Sequence, residues 1–202
     1  MPEYKLTYFN VKGLGEGIRY LLAYSGKEFK DNRIDQSQWA SLKGETPFGK
    51  VPVLEIDGKK YHQSTAILRY LAVEAGVSGS TPLENLHIDQ IVGAAQDLIT
   101  EVAGLWKQDE SKKEDYKKKL INETVPYYFG KFEHVLKENK GFLANGKLSW
   151  ADIFLVSYSE TMATFLGIKD LHDKYPNFAA LVHKIQSLPG IKEWIEKRPS
   201  SF

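Results

Sequence analysis

Strand patterns in this sequence are confined to roughly its first third, and this uneven distribution limits the possible folds more than any other feature. Alternating and β-branched stretches predict strands, and apolar residues at intervals of three or four predict helices. Together they give the order β-α-β-(α)-β-β-α, in which the second helix is a loop or a short helix. The strands are expected at Tyr4 to Phe9, Phe29 to Ile34, Val51 to Ile56 and Lys60 to His62. Such an order predicts one mixed sheet with helices on its faces.

The composition changes at the segment from Gly76 to Pro82 (GVSGSTP), which is typical of a linker. No strand pattern follows it, and the apolar positions keep a helical period. The first long helix has its apolar stripe at Ile88, Ile91, Val92, Ala95, Leu98, Ile99, Val102 and Leu105. We therefore expect an α/β domain over residues 1–77, a linker over 78–83 and an all-helical domain over 84–202.

A folding signal is expected within the helical domain at Ser149–Asp152 (SWAD). A serine followed three residues later by an acidic residue is the spacing of a capping box. The segment after it is apolar on most sides, as in a buried helix. We interpret this motif as structural.

Charge balance and the lack of cysteine exclude several classes of function. Lys and Arg number 27 against 26 Asp and Glu, so the chain lacks the basic excess of a nucleic-acid or anionic-membrane binder. With no cysteine, it cannot form a disulfide, a thiolate metal site or a cysteine nucleophile. The five histidines show no metal-binding spacing. No apolar run reaches the roughly 20 residues of a membrane helix, and the start (MPEYKLTYFN) lacks a signal-peptide layout, so a cytoplasmic protein is expected.

Two positions in the predicted sheet could bind a ligand, and each has a structural alternative. Tyr8 lies at the C-terminal end of the first strand, where open α/β sheets place ligands; it could belong to the core, or its hydroxyl could face a site and donate a hydrogen bond. Pro52 suits an edge position, or a cis turn that leaves the backbone of Val51 free to pair with an extended, peptide-like ligand.

Two helix starts could likewise either bind a ligand or have a purely structural role. Ser64 opens a helix whose first-turn N–H groups and dipole favour an anion, and its hydroxyl could bind a carboxylate or simply cap the helix. Gly13 and Gly15 follow a strand as in a dinucleotide-binding fingerprint, but Ile18 stands where the third glycine is needed. An ordinary strand-to-helix turn is the better interpretation there.

Taken together, these segments resemble the glutathione transferases, specifically the sigma class, over the whole chain. The shared segments are KLTYFN, Trp39, PFGKVPVLEIDG (Pro47 to Gly58), HQS (His62 to Ser64), SWAD and the ending KRP (Lys197 to Pro199). PFGKVPVLE followed by HQS is highly specific. The resemblance implies a thioredoxin-like N-terminal domain with a mixed four-stranded sheet, an all-helical C-terminal domain and a homodimer.

The resemblance also implies a catalytic residue. Tyr8 matches the tyrosine that hydrogen-bonds the sulfur of glutathione and favours its thiolate. A free thiol has a pKa of about 8.5, and lowering it by two units needs about 2.7 kcal/mol of preferential thiolate stabilisation. A phenol donor, a helix dipole and nearby lysines can supply an effect of that order.

Further residues match positions that hold the tripeptide. Pro52 matches the cis-proline, and Val51 would pair its backbone with the cysteinyl part. Gln63 and Ser64 would hold the γ-glutamyl end. The glycyl end would be held by Trp39, Lys43 and Lys50.

Asp97 matches an acidic residue that reaches the γ-glutamyl amine from the neighbouring subunit. Its helix face is small or polar, since it carries Gln90, Gly93, Ala94, Asp97 and Glu101, so a second subunit could approach closely. On spacing alone, a solvated helix face remains an alternative.

The sequence departs from the vertebrate prostaglandin-converting branch of this class. Leu14 stands where that branch carries arginine, and Gly93 and Gln96 stand where it carries acidic residues associated with a divalent metal. Both changes weaken an isomerase interpretation, and no metal is expected. The electrophile pocket is expected to be apolar, with Phe9, Gly13, Leu14, Ile99, Trp106 and Tyr158 as its walls.

The predicted function is therefore conjugation of glutathione, as co-substrate, to hydrophobic electrophiles, including lipid-derived alkenals or hydroperoxides, in detoxification. The alternatives are a glutathione-dependent prostaglandin-type isomerase and a non-catalytic, crystallin-like structural or ligand-binding relative. The crystallin-like relatives often carry a helical insertion, and none is evident between Leu105 and Pro126. Neither nucleic acid nor membrane is expected as a partner.

Overall fold

The computed structural model describes residues 2–200, which form two compact units. The first comprises residues 2–78 together with 185–200, and the second comprises residues 79–184. The C-terminal segment thus belongs by its contacts to the first unit. The predicted domain bounds remain a prediction, and residues 1, 201 and 202 lie outside the described residues.

The first unit contains a four-stranded sheet and its helices. Its elements are β1 (Tyr4–Phe9), α1 (Gly13–Tyr24), β2 (Phe29–Ile34), α2 (Gln36–Leu42), β3 (Val53–Ile56), β4 (Lys59–His62) and α3 (Ser64–Glu74). Two short 3-10 turns, Lys43–Glu45 and Pro47–Gly49, precede β3. The predicted strand order along the chain is confirmed, although β3 begins two residues later than expected, after Pro52.

The sheet has the order β2-β1-β3-β4 and is mixed. β1 pairs in parallel with β2 and antiparallel with β3, and β3 pairs antiparallel with β4. Along β1 the side chains of Tyr4, Leu6 and Tyr8 are buried, and the intervening ones are half-buried. This alternation is the period of two expected for a strand with one core-facing side. The thioredoxin-like arrangement predicted for this part of the chain is confirmed.

All regular secondary structure among the described residues of the second unit is helical. It contains α4 (Pro82–Ala103), α5 (Glu110–Lys119), α6 (Val125–Glu138), α7 (Trp150–Leu166), α8 (Leu171–Lys174) and most of α9 (Pro176–Gln186), with a 3-10 turn at Gly104–Lys107 and a π-helical turn at Leu120–Thr124. α10 (Ile191–Lys197) lies in the first unit. The predicted apolar stripe of α4 is buried from Ile88 to Val102.

The capping box predicted at SWAD is present at the start of α7. Asp152 is fully buried and accepts hydrogen bonds from Ser149 N–H at 2.8 Å and from the Ser149 hydroxyl at 3.0 Å. It also accepts from Leu143 N–H at 2.8 Å, which ties the preceding loop to the helix. Burial raises the pKa of Asp152 to about 6, against the lowering effect of these hydrogen bonds. The motif therefore has the structural role expected of it.

Candidate active site

Tyr8 lies at the C-terminal end of β1 with only 8% of its surface exposed. Its hydroxyl oxygen accepts a hydrogen bond from Leu14 N–H at 3.2 Å. Burial raises the pKa of the Tyr8 phenol above its ordinary value, whereas the Leu14 hydrogen bond and the charge of Arg19 act to lower it. Tyr8 therefore remains a neutral phenol at physiological pH and can donate its proton in a hydrogen bond.

The Tyr8 side chain packs closely against two glycines of α1, where there is no room for a Cβ atom. A Cβ on Gly13 would stand 2.7 Å from the Tyr8 hydroxyl oxygen, and a Cβ on Gly15 would stand 2.6 Å from Cδ1 of the ring. Gly13 also has a positive φ of 41°, a conformation that favours glycine. From the sequence, Gly13 was expected in the electrophile pocket and both glycines in an ordinary strand-to-helix turn, but no contact of either with the Tyr8 ring was expected. The available signal was a pair of glycines five and seven residues after a tyrosine near the end of a strand.

Strand register places the other candidates at the same end of the sheet as Tyr8. Thr7, next to Tyr8, pairs with Val53 of β3, so Val51 and Pro52 directly precede the neighbouring position. Val53 in turn pairs with His62 of β4, which is followed by the start of α3. The Val51–Pro52 peptide bond is cis, the second of the two arrangements considered for it.

The start of α3 differs in detail from the prediction. Gln63, not Ser64, is the N-cap residue, and Ser64 is the first helical residue, so the interpretation of Ser64 as a side-chain cap is wrong. Gln63 has a φ of 70° and a ψ of 106°, a sparsely populated conformation for a residue with a side chain. This conformation turns the chain into α3, whose first N–H groups and dipole favour a negatively charged ligand group.

Trp39 lies beside the end of β1. Its ring packs edge-on against Phe9 with 5.4 Å between ring centroids, and the Phe9 ring lies 5.8 Å from that of Tyr8. Trp39 belongs to α2, whose start is fixed by a capping box in which Asp35 N–H donates to Gln38 Oε1 at 3.0 Å. Phe9, expected only in the electrophile pocket, thus also links Tyr8 to Trp39.

The two lysines predicted to bind a carboxylate are exposed and lie close together in the chain segment before β3. The Lys43 side chain runs past Gly49, with Cε 3.4 Å from the position that a Cβ there would take. Gly49 is the residue before Lys50, so the structure brings both lysines to one stretch of backbone. Two exposed ammonium groups are a suitable environment for a carboxylate.

The remaining predicted residues belong to the second unit. Asp97 is exposed on α4, whereas Ile99 is part of that helix's buried stripe. Tyr158 on α7 is 9% exposed, and Trp106 is 73% exposed. The Trp106 ring stacks on Phe165 with centroids 4.9 Å apart and an angle of 20°. The contact of Phe165 with Trp106 could not be predicted from sequence, because the two residues are far apart in the chain.

Residues 2–200 contain no group of three or more His, Asp or Glu side chains that could hold a metal ion. None of the described helices is both long enough and apolar enough to cross a membrane.

Comparisons with known proteins give matches over most of the chain. Residues 4–73 match the family model of the glutathione S-transferase N-terminal domain, and residues 96–198 match that of the C-terminal domain. Glutathione S-transferase S1 of Drosophila melanogaster is 41% identical over 98% of this chain and 79% of its own length. Hematopoietic prostaglandin D synthase of Gallus gallus is 40% identical over 100% of this chain and 99% of its own. The solved structure of prostaglandin synthase D of Nilaparvata lugens superposes with a TM-score of 0.94 and 50% identity, covering 98% of this chain and 99% of that one.

Proposed function

Because this chain belongs to the glutathione S-transferase family, we propose that Tyr8 activates the thiol of glutathione for transfer to hydrophobic electrophiles. The single observation that carries this proposal is the state of Tyr8. Its ring lies so close to Gly13 and Gly15 that a Cβ at either would clash with it, its hydroxyl accepts from Leu14 N–H, and burial raises its pKa, so it stays protonated. A neutral phenol held in one place is a hydrogen-bond donor for a thiolate.

The proposed reaction needs no cysteine or metal from the chain. The glutathione thiol loses its proton to solvent, and the Tyr8 hydroxyl donates a hydrogen bond to the sulfur anion. The sulfur lone pair then forms a carbon–sulfur bond with the electrophile, which expels a leaving group or takes up a proton on the neighbouring carbon. A hydrogen bond to a charged group contributes about 1.5–3 kcal/mol, and the helix dipole about 0.3–1 kcal/mol. Their sum covers the roughly 2.7 kcal/mol that a two-unit decrease of thiol pKa requires.

We propose that the tripeptide lies along the end of the sheet beside Tyr8. Gln63 and Ser64 hold the γ-glutamyl group at the start of α3, and the Val51 backbone pairs with the cysteinyl group next to Pro52. The glycyl carboxylate is bound by Trp39, Lys43 and Lys50. The common position of these residues at one end of the sheet, and the helix start beside it, support this assignment. For the electrophile we propose the apolar set Phe9, Gly13, Leu14, Ile99, Trp106 and Tyr158.

The test is the rate of glutathione conjugation to chlorodinitrobenzene by wild type and by Tyr8→Phe. Loss of a hydrogen bond to a charged sulfur should reduce kcat/KM by about 10- to 100-fold, with little change in the Kd of glutathione. Tyr24→Phe, at the end of α1, is the matched control and should retain the wild-type rate. Equal rates for Tyr8→Phe and wild type would refute the role of Tyr8.

A glutathione-dependent isomerase is the second candidate, favoured by the 50% identity to the protein named prostaglandin synthase D. Leu14, in place of arginine, argues against it. An isomerase returns glutathione unchanged, whereas a transferase consumes one glutathione per product. Measuring both glutathione and product with a prostaglandin endoperoxide separates the two activities. Glutathione binding without turnover of either substrate would instead favour a structural or ligand-binding role.

We also propose that the chain is a sigma-class enzyme of detoxification that acts in the cytoplasm as a homodimer. The polar face of α4 that carries Asp97 is exposed, which supports a second copy docking there and Asp97 reaching the partner's glutathione. The first unit has a groove of about 510 Å³ bordered by Lys59, Lys60 and Tyr70. The positive charge of its two lysines complements the carboxylates of Asp97 and Glu101 on that face of α4. Sedimentation at micromolar concentration should give the dimer mass, and Asp97→Asn should raise the KM for glutathione. A purely monomeric protein would refute this part of the proposal.

A further inference from the structure

An ion cluster lies beneath Tyr8, within the first unit. We call it the Arg19 cluster, and it comprises Glu16, Arg19, Asp31, Arg33 and Arg198. Glu16 and Arg19 are completely buried. Arg19 donates to Asp31 Oδ1 at 2.9 Å through Nε and to Glu16 Oε2 at 3.0 Å through Nη1. Arg33 contacts the second oxygen of Asp31 at 2.7 Å.

Glu16 joins this cluster to the C-terminal segment. Its Oε1 accepts hydrogen bonds from Trp194 Nε1 at 2.9 Å and from Arg198 Nη1 at 2.8 Å. A buried carboxylate is tolerated only when it is paired and hydrogen-bonded. Arg19 donates only to Oε2 of Glu16, so Trp194 and Arg198 supply the hydrogen bonds that its other oxygen, Oε1, needs.

Arg19 acts on Tyr8 in two ways. Its guanidinium carbon lies 5.9 Å from the centroid of the Tyr8 ring, and its charge opposes the effect of burial on the Tyr8 pKa. Its Nη1 also donates to Val11 O at 2.9 Å, in the turn that leads to Leu14. Leu14 N–H is the group that donates to the Tyr8 hydroxyl. Arg19 thus supports both the ring and the loop that holds its oxygen.

The charge of the cluster depends on Arg198. Counted over these five side chains, three guanidinium groups face two carboxylates, so the cluster carries one excess positive charge, and Arg19 is the member that lies 5.9 Å from the Tyr8 ring centroid. Without Arg198, the charges cancel, and Glu16 keeps only the indole N–H of Trp194 on Oε1. The field that favours a negative charge at the site would become weaker.

We propose that Arg198 and Trp194 are positioning residues for Tyr8, and that through Glu16 and Arg19 the C-terminal segment completes the catalytic surroundings of a tyrosine at the opposite end of the chain. The effect on catalysis rests on the proposed function. The effect on Tyr8 itself does not, so the two can fail separately.

The experiment uses the full chain labelled with 3-fluorotyrosine, whose phenol ionises at lower pH than that of tyrosine, and follows each ring by fluorine NMR as the pH is raised. The Tyr8 resonance is assigned by its loss in Tyr8→Phe. In Arg198→Gln we expect the Tyr8 titration to move to higher pH and in Arg198→Lys to stay near that of wild type. Lys197→Gln, an exposed neighbour with the same change of charge, is the control and should leave it in place.

The same variants are then compared in the pH profile of glutathione conjugation. Arg198→Gln should lower kcat/KM about threefold below the pH at which the rate becomes constant, with a smaller effect above it. A lower Tm without any change in the Tyr8 titration would overturn the proposal, because it would show a purely structural role. A shifted titration in a protein without transferase activity would uphold the positioning role and refute the proposed function.

Discussion

Gly15→Ala tests how tightly the position of Tyr8 is determined. A Cβ at residue 15 would stand 2.6 Å from Cδ1, 2.9 Å from Cγ and 3.2 Å from Cβ of Tyr8. Ordinary van der Waals contact begins at 3.4 Å, so the ring must retreat by about 0.8 Å, the difference between 3.4 and 2.6 Å. The ring is buried and can retreat only by disturbing its neighbours or by moving its hydroxyl away from Leu14 N–H.

The size of the effect follows from two opposed contributions to stability and one to catalysis. Alanine is preferred over glycine in a helix by about 1 kcal/mol, whereas overpacking costs about 1–3 kcal/mol. We therefore expect a decrease of about 0–2 kcal/mol in the free energy of unfolding. A catalytic group displaced by nearly 1 Å loses up to about 100-fold in rate. The variant should fold and yet be a poor enzyme.

The assay combines urea unfolding with the rate of glutathione conjugation. Gly130→Ala is the matched control, because Gly130 lies within α6, is exposed, and a Cβ there would meet nothing within 4 Å. That variant should be slightly more stable than wild type and fully active. If Gly15→Ala conjugated glutathione at the wild-type rate, close packing on Tyr8 would not be what holds the phenol in position.

Three further substitutions test other features. The pKa of Asp152 is raised from 3.8 to about 6, so its contribution to stability is present below pH 3.8 and is lost as the pH rises through 6. Relative to Asp152→Asn, wild type should lose about 3 kcal/mol of unfolding free energy across this range, measured by urea titration at each pH. Parallel pH profiles of the two proteins would contradict that assignment. The Glu133 carboxylate accepts hydrogen bonds from the backbone N–H groups of Asn177 and Phe178 at 2.8 and 2.9 Å, at the start of α9. Glu133→Ala should therefore lower the free energy of unfolding by about 1–2 kcal/mol, and Glu133→Gln by less. An unchanged Tm in Glu133→Ala would show that this cap is dispensable. Gln63→Gly should raise the free energy of unfolding by about 1 kcal/mol, since glycine accepts a φ of 70°, and should weaken glutathione binding measured by calorimetry. Gln63→Ala should weaken binding without this gain in stability. Unaltered affinity in both variants would remove Gln63 from the proposed site.

The elements of the fold could be predicted from sequence because their causes are local. Alternation over Tyr4 to Phe9 and the stripe from Ile88 to Val102 are repeated over a few residues, and burial follows the repeat. The capping box at Ser149 and Asp152 joins groups three residues apart. The residues of the candidate glutathione site were named from motifs that resemble a known family, and their binding roles stay a prediction.

The supports of Tyr8 could not be predicted, because their partners meet only in the folded chain. The sequence does not indicate that Gly15 packs on the Tyr8 ring or that Glu16 receives a guanidinium from Arg198. It also did not show that Gln63 rather than Ser64 is the cap of α3, which depends on the backbone leaving β4. Patterns within the sequence determine which segments are strands and helices, whereas packing between distant segments decides which buried charges face the phenol of Tyr8. The physical reason is that the energies of a buried ion pair and of a close ring contact depend on distances between atoms, and only the tertiary structure sets those distances.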